Sequence, residues 1–336
     1  LRPLSATRLP LLLAAIVVTT VAASAFAQPA VGRTAERIAI IGGRVVLGGF
    51  GGALWIHDGD RTRPLPSDDA HADPFRWITR GDRLVIIGRH GVSTLGETAV
   101  APLPSIPDHQ ILDAVPTARG VVSLALGVSC AGQGEDEVCT ESDTRELYDA
   151  TTRITGSLAG ADLLSFDASE DGATIVVGVA RESASLLVLA RRPEGWSAES
   201  SYPLGATLGD VPARVALSPS ARYAVAFLQG GTVVIVDRRG GEPRRVSVGE
   251  GASWAWAFDA AEERLAVAHA RTSVTLVALR DGTSTERAIA PEMVDLGRDC
   301  LALTTDALLV ACQRLSAPTR VALTTTAGSA SALPAR

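Results

Sequence analysis

The chain has 336 residues, 46% of them hydrophobic, with 31 lysine plus arginine against 37 aspartate plus glutamate and a formal net charge of -6. So mildly acidic a balance speaks against nucleic acid as a partner. Every strongly basic residue is arginine, and neither lysine nor asparagine occurs anywhere, which excludes a phosphate-loop lysine, a Schiff base and an N-glycosylation sequon.

The N-terminal stretch reads as a secretory leader. Arg2 and Arg8 flank a short basic region, Leu9 to Ala23 is apolar and uncharged, and Ala25-Phe26-Ala27 before Gln28 has the small-x-small form of a cleavage site. Residues 1–27 are therefore expected to be a signal peptide cleaved after Ala27, and 28–336 a single domain, exported to the periplasm or the extracellular space. An uncleaved anchor is the competing reading, because the apolar stretch is nearly long enough to span a bilayer. No cysteine stands at the cleavage site, which argues against a lipoprotein.

Beyond the leader the chain repeats. Ile38 opens IAIIGGRVVLGGFGGALWI, Trp77 opens WITRGDRLVIIGRHGVSTL, Ile111 opens ILDAVPTARGVVSLALGV, and Leu164 opens LSFDASEDGATIVVGVARESASLLVL. The clearest copy runs from Arg214 to Val246, followed by AFDAAEERLAVAHARTSVTLVAL from Ala257 and LALTTDALLVACQRLSAPTRVAL from Leu301. In the clearest copy, Val215 to Leu217 is an apolar run (strand A) ended by the turn cluster Ser218-Pro219-Ser220. Tyr223 to Leu228 forms strand B, Gly230-Gly231 a hairpin, Thr232 to Val236 strand C, and Arg244 to Val248 a more polar strand D. Four antiparallel strands in such a unit make one propeller blade, and anchors spaced at roughly 35 to 55 residues bracket the blade period. No amphipathic helix of ten residues or more separates the apolar runs, as a doubly wound α/β fold would require. The expected fold is all-β, a seven-bladed β-propeller of four-stranded antiparallel blades. Its last blade is closed either by Ala30 to Ala35 beside Thr319 to Thr324 or by the tail Ser329 to Pro334.

Ser218-Pro219-Ser220-Ala221-Arg222-Tyr223, with Val236-Asp237 and Gly240-Gly241 after it, resembles the turn and exit of WD40-like, YVTN-like and TolB-like repeats. That resemblance implies architecture, and it implies binding through the face that carries the B-to-C and D-to-A connections.

The four cysteines form two local pairs, and export favours disulfides. Cys300 and Cys312 lie equally far from the turn at Asp306 on strands A and B of the last blade, placing them opposite each other across a hairpin. Cys130 and Cys139 bracket a loop with Glu135, Asp136 and Glu137, read as a pinned acidic loop and a candidate contact for a partner. Zinc is disfavoured there by the spacing and by the lack of a nearby histidine.

Sorting residues by blade position gives further candidates. His71, His90, His109 and His269 fall on the B-to-C and D-to-A face, with Asp68, Asp69, Asp73 and Asp108 in the same loops. From these, His71, His90, His109, Asp68 and Asp73 make a candidate divalent-cation or acid/base site. The bland alternative is that polar loops hold them in water. Arg76, Trp77, Trp254 and Trp256 open first strands near the channel mouth and are of the types enriched in binding hot spots, although packing between blades is the better account of a tryptophan there. Arg44, Arg83, Arg222 and Arg264 precede second strands on the opposite face and are read as solvated turn residues. No G-x-S-x-G, H-E-x-x-H, CxxC or EF-hand pattern occurs. The leading expectation is a non-catalytic, monomeric scaffold without a cofactor, displaying its loop face to a protein or cell-envelope component. Its rivals are a hydrolase or lyase with a divalent cation at the channel mouth, and a small-molecule or glycan binder in the channel.

Overall fold

The computed structural model describes residues 35–41, 44–49, 54–58, 61–65, 74–80, 83–88, 91–95, 100–103, 105–131, 138–156, 158–251, 255–270, 273–288, 301–303, 307–310 and 319–322. The leader and both segments considered for closing the last blade, apart from Ala35 and the residues of 319–322, lie outside them.

Each repeat unit forms one antiparallel sheet. Blade 1 is β1 (Ala35–Ile41), β2 (Arg44–Gly49), β3 (Leu54–Asp58) and β4 (Arg61–Leu65); blade 2 is β5 (Pro74–Arg80), β6 (Arg83–Gly88), β7 (Gly91–Leu95) and β8 (Val100–Pro102). Blade 3 is β9 (His109–Thr117), β10 (Gly120–Ala131), β11 (Val138–Asp149) and β12 (Thr152–Ile154); blade 4 is β13 (Asp162–Ala168), β14 (Thr174–Ala180), β15 (Ala184–Arg192) and β16 (Gly195–Gly205). Blade 5 is β17 (Pro212–Leu217), β18 (Tyr223–Leu228), β19 (Thr232–Asp237) and β20 (Arg244–Ser247), and blade 6 is β21 (Ala255–Phe258), β22 (Arg264–Ala270), β23 (Ser273–Ala278) and β24 (Ser284–Ala288). The described residues give blade 7 three strands, β25 (Leu301–Leu303), β26 (Ala307–Val310) and β27 (Thr319–Ala322). A single 3-10 turn, Leu208–Asp210, is the one helical element among the described residues.

In blades 2 to 6 apolar side chains turn to both faces of the sheet, so the core lies between blades and repeats from one seam to the next. Val46 and Ile56 of blade 1 pack with Leu84 and Ile86 of blade 2. Val85 and Ile87 continue through Val122 and Leu147 of blade 3 to Phe166 and Val177 of blade 4. Val176 and Leu186 join Leu217 and Val234, Phe227 and Ile235 join Trp256 and Leu265, and Ala266 and Val274 join Leu303 and Leu308. The first strands sit innermost, and the inner edge of β17 is satisfied from the side: Val215 N–H donates to Ser165 Oγ at 3.2 Å and Leu217 N–H to Asp167 Oδ2 at 2.8 Å. The two-residue step on β17 matches the two-residue step on β13, which is why Ser165 and Asp167 are both buried.

The turns between first and second strands follow one scheme. Ser218 Oγ accepts from Tyr223 N–H at 3.0 Å, Ser169 Oγ from Thr174 N–H at 2.9 Å, and Asp259 Oδ1 from Arg264 N–H at 3.0 Å. Three residues after each capping side chain the backbone enters the left-handed region, at Gly172 (φ 66°), Ala221 (φ 57°) and Glu262 (φ 54°).

Arginines fasten one blade to the next. Arg119 Nε donates to Asp171 O at 3.2 Å, Arg145 to Leu163 O at 3.2 Å, Arg244 to Leu279 O at 2.7 Å and Arg245 to Leu204 O at 2.8 Å. Arg83 donates to Thr117 O, Arg191 pairs with Asp149, and Arg238 pairs with Glu199 at 2.6 Å. Of the arginines read as solvated turn residues, Arg83 is exposed as expected and also donates to Thr117 O of blade 3, whereas Arg222 and Arg264 are half-buried: Arg222 pairs with Asp237 at 2.8 Å over the Tyr223 ring, and Arg264 Nε holds Asp259 at 2.9 Å; the side chain of Arg44 lies outside the described residues. Turn positions supply the reach, and the fork-shaped guanidinium supplies donors for carbonyls.

Turn carboxylates tie these bonds to pH. The Arg222 guanidinium holds Asp237 below the usual carboxylate range, and the Ser169 hydroxyl and the Thr283 amide do the same for Asp171 and Asp281. A depressed native value adds stability above the unfolded value and loses it as pH falls through the native one. The thermal midpoint is therefore expected to stay level from neutral pH down to about 5 and to drop below about 4. Calorimetry across that range checks it; a midpoint that rises on acidification would contradict these assignments.

Candidate functional site

Blade 3 departs from the others. β10 and β11 run twelve residues each, and their pairing continues beyond the sheet through Val128↔Glu141 and Ser129↔Thr140 to Cys130↔Cys139. The register breaks between Leu126↔Arg145 and Val128↔Glu141, so Ser142, Asp143 and Thr144 bulge out opposite Gly127, with Ser142 Oγ accepting from Thr144 N–H at 3.0 Å. Above the bulge the residues from Ser129 to Ala131 and from Cys139 to Thr144 are exposed. The result is a two-stranded arm standing off the B-to-C end of the blade. An isolated hairpin is marginal in water; a Cys130–Cys139 disulfide joins the directly opposed pair, so the predicted bridge is present. Glu135, Asp136 and Glu137 lie outside the described residues.

The root of the arm is a polar cluster. Arg145 and Asp149 turn toward blade 4, where Asp149 accepts from Trp196 Nε1 at 3.1 Å. Alternation therefore sends Glu146 and Tyr148 to the other side of the sheet. There Tyr148 O–H donates to Glu146 Oε2 at 2.7 Å and lies 2.9 Å from His109 Nε2, with the two rings edge-on at 5.2 Å. His109 Nε2 is 3.3 Å from Glu146 Oε2, Arg153 holds Glu146 Oε1 at 2.6 Å, and His109 Nδ1 donates to the Pro107 carbonyl at 2.6 Å. Register brings these together across two small residues: Gly127 faces His109, and Ala125 faces both Ile111 and Glu146. Just before His109 the backbone of Asp108 is left-handed (φ 55°), and its carbonyl accepts from Val128 N–H at 2.7 Å, fastening the first residue of the arm.

Burial, the bond to Glu146 and that carboxylate's charge push the Tyr148 hydroxyl up to about 12, so the phenol stays protonated at neutral pH and its proton remains committed to Glu146. Glu146 is thus held from two sides, by the Tyr148 hydroxyl and by Arg153.

The other predicted site residues are dispersed or undescribed. Of the cation candidates, His71, His90, Asp68 and Asp73 lie outside the described residues, as does Asp69, and His109 is engaged as above. Among the described residues no three of His, Cys, Asp and Glu converge as metal ligands would. Arg76 and Trp77 occupy adjacent positions on β5, opposite Ile87 and Ile86. Trp254 lies outside the described residues. Trp256 is 8% exposed and stacks on Phe227 at 4.6 Å in the seam between blades 5 and 6, the packing role that was its alternative. His269 is half-buried, with Nε2 3.1 Å from Thr275 Oγ1. Cys300 and Cys312 lie outside the described residues. Glu146 and Tyr148 escaped the sequence reading; two polar-edged residues two apart on a strand share a face, and that was the only signal available.

One more feature marks the same face. Leu208, in the D-to-A connection between blades 4 and 5, is 84% exposed, the one large apolar side chain so placed among the described residues. Its turn is held by Thr207 Oγ1 donating to Asp210 at 2.6 Å and by Arg245 on Asp210 at 2.7 Å.

Comparison with known proteins adds architecture. No family model matches the chain, and no curated protein matches it. Among solved structures it is similar to PorZ, described as an essential bacterial surface component of the type-IX secretion system of Porphyromonas gingivalis, at TM-score 0.56 and 14% identity, over 90% of this chain and 38% of that one. It is also similar to the Cps50 (Swd1) β-propeller domain of Myceliophteria thermophila, at TM-score 0.58 and 11% identity, over 87% and 97% of the two chains. AztD of Citrobacter koseri follows at TM-score 0.56 and 12% identity, over 86% and 84%. The chain has a β-propeller architecture.

Proposed function

We propose that the chain is an exported, non-catalytic β-propeller of the WD40-like, YVTN-like and TolB-like kind that binds a protein or cell-envelope component through its B-to-C and D-to-A face. The blade 3 arm is the main point of contact. The observation that carries this reading is the arm itself: a hairpin exposed on both sides, stapled near its tip by Cys130–Cys139 and supported at its root by His109, Glu146 and Tyr148. A segment so costly to order, with so little core of its own, is maintained for what it touches. The disulfide fits an oxidising compartment. The likeness to part of PorZ, described as a bacterial surface component of a secretion system, supports an exported role.

Affinity capture from envelope extract tests the reading. A triple variant, Glu135→Gln, Asp136→Asn and Glu137→Gln, is expected to recover the native protein's principal partner at least about tenfold less well, a loss of roughly 1.4 kcal/mol. Equal recovery by native and variant protein would remove the arm from the proposal.

A further inference from the structure

With a neutral histidine, the polar cluster at the root of the arm has one hydrogen too few for its contacts. Three of these are short: His109 Nδ1 to the Pro107 carbonyl at 2.6 Å, His109 Nε2 to the Tyr148 oxygen at 2.9 Å, and the Tyr148 oxygen to Glu146 Oε2 at 2.7 Å. Each needs a hydrogen between its two atoms, because a carbonyl and a carboxylate offer lone pairs only. A neutral imidazole brings one and the phenol another, so the third contact sets two lone pairs face to face. Glu146 is a poor source of the third hydrogen, since Arg153 lies 2.6 Å from its Oε1, a contact that fits a carboxylate. The imidazolium form of His109 supplies it.

Doubly protonated, His109 donates through Nδ1 to Pro107 and through Nε2 to the Tyr148 oxygen, whose own hydrogen stays on Glu146. The Glu146 carboxylate then lies 3.3 Å from the charged ring. Among the described residues, the titratable and charged groups facing the ring are Glu146 and Tyr148 on β11, with Arg153 of β12 beyond Glu146. β10 presents Gly127 to it, and Asp108 before it and Glu141 and Asp143 higher on β11 have exposed side chains. The ring also stands where the arm is fastened, for the carbonyl of Asp108 accepts from Val128 N–H at 2.7 Å.

We infer that proton uptake by His109 locks the root of the arm, so that the arm is held firmly in acid and works loose as pH rises. Histidine is the side chain whose charge changes between about pH 5 and 8. The sign follows from linkage: the locked root keeps a proton that the opened root, with the ring in water, gives up more readily, so locking weakens as pH rises. The opening is local. The sheet below the arm stays paired, and the thermal midpoint remains where the turn carboxylates set it. The inference rests on the reading of the arm as the contact surface only for its use, since pH then sets how firmly that contact is presented.

Amide hydrogen exchange of the full chain, with no partner present, tests it between about pH 5.5 and 8.5, after correction for the pH dependence of the chemical step. Protection of Val128 N–H is expected to fall at least about tenfold from the lowest pH to the highest, while the amides of Val122 to Leu126, on a stretch of β10 paired on both sides, keep theirs. His109→Gln, which still forms hydrogen bonds but takes up no proton, is expected to abolish the fall, and Glu146→Gln, which removes the anion beside the ring, to shrink it. Native protection of Val128 that does not fall as pH rises overturns the inference, and so does a fall that persists unchanged in either variant with native circular dichroism. Equal partner recovery in the capture experiment bears on the contact alone and leaves the lock standing.

Discussion

Replacing Gly231 with alanine is expected to destabilise the protein by about 3 kcal/mol or more, through a left-handed backbone and a backbone clash acting together. Gly231 has φ 76°, and a Cβ there would fall 1.9 Å from the carbonyl oxygen of Gly249. That oxygen belongs to the connection leaving blade 5. The two segments are already fixed to each other, because Val248 N–H donates to Gly231 O at 2.9 Å. Neither can yield without opening the seam, since Gly249 in turn lies against the His269 imidazole. Gly240 is the control: its φ of 124° is just as unsuited to alanine, yet a Cβ there meets nothing within 4 Å. Gly240→Ala should cost only the conformational part, about 1–2 kcal/mol. Urea unfolding of both variants separates the two contributions, and a Gly231→Ala variant no less stable than Gly240→Ala would show that the connection moves freely.

The second large effect is expected at Asp167. Its carboxylate is fully buried on the innermost strand of blade 4, where Oδ1 accepts from Ala168 N–H at 3.0 Å and Oδ2 from Leu217 N–H at 2.8 Å. Asp167→Ala leaves two buried amides without these acceptors, each worth about 1–3 kcal/mol, for an expected loss of about 2–6 kcal/mol. Ser165→Ala removes one weaker acceptor, 3.2 Å from Val215 N–H, and should cost about 1 kcal/mol. Hydrogen exchange gives the specific signature: in Asp167→Ala the Leu217 amide should lose protection more than its neighbours in β18. Uniform loss across both strands would mean that the carboxylate supports the whole blade rather than that one edge.

Much of the architecture was legible because propellers are written in local grammar. Ser218-Pro219-Ser220 and Gly230-Gly231 mark turns whose chemistry needs no distant partner, and the runs between them became strands of nearly the predicted extent. Cys130 and Cys139 were legible for the same reason, since a hairpin brings its own ends together. The site was harder. His109 was visible as a histidine on the right face, but its neighbours Glu146 and Tyr148 lie 37 and 39 residues onward, and their meeting depends on a register that skips three residues opposite Gly127. Nothing in the composition of that stretch announces the skip. Asp167 was hidden by its surroundings: in Phe166-Asp167-Ala168-Ser169 it reads as part of a polar turn, and only the edge of the neighbouring first strand gives it a task. The arginines misled in the other direction, because a long side chain at a turn can lie along the surface to a carbonyl on the next blade.

That habit of the arginines has a consequence for what counts as a building block. Arg83, Arg119, Arg145, Arg191, Arg238, Arg244 and Arg245 all reach from one blade into its neighbour, as do the apolar seams beside them. A blade cut out as a peptide would carry half of many rivets and few whole ones. The repeat visible along the chain is thus the unit of copying, while the unit of melting spans several copies at once.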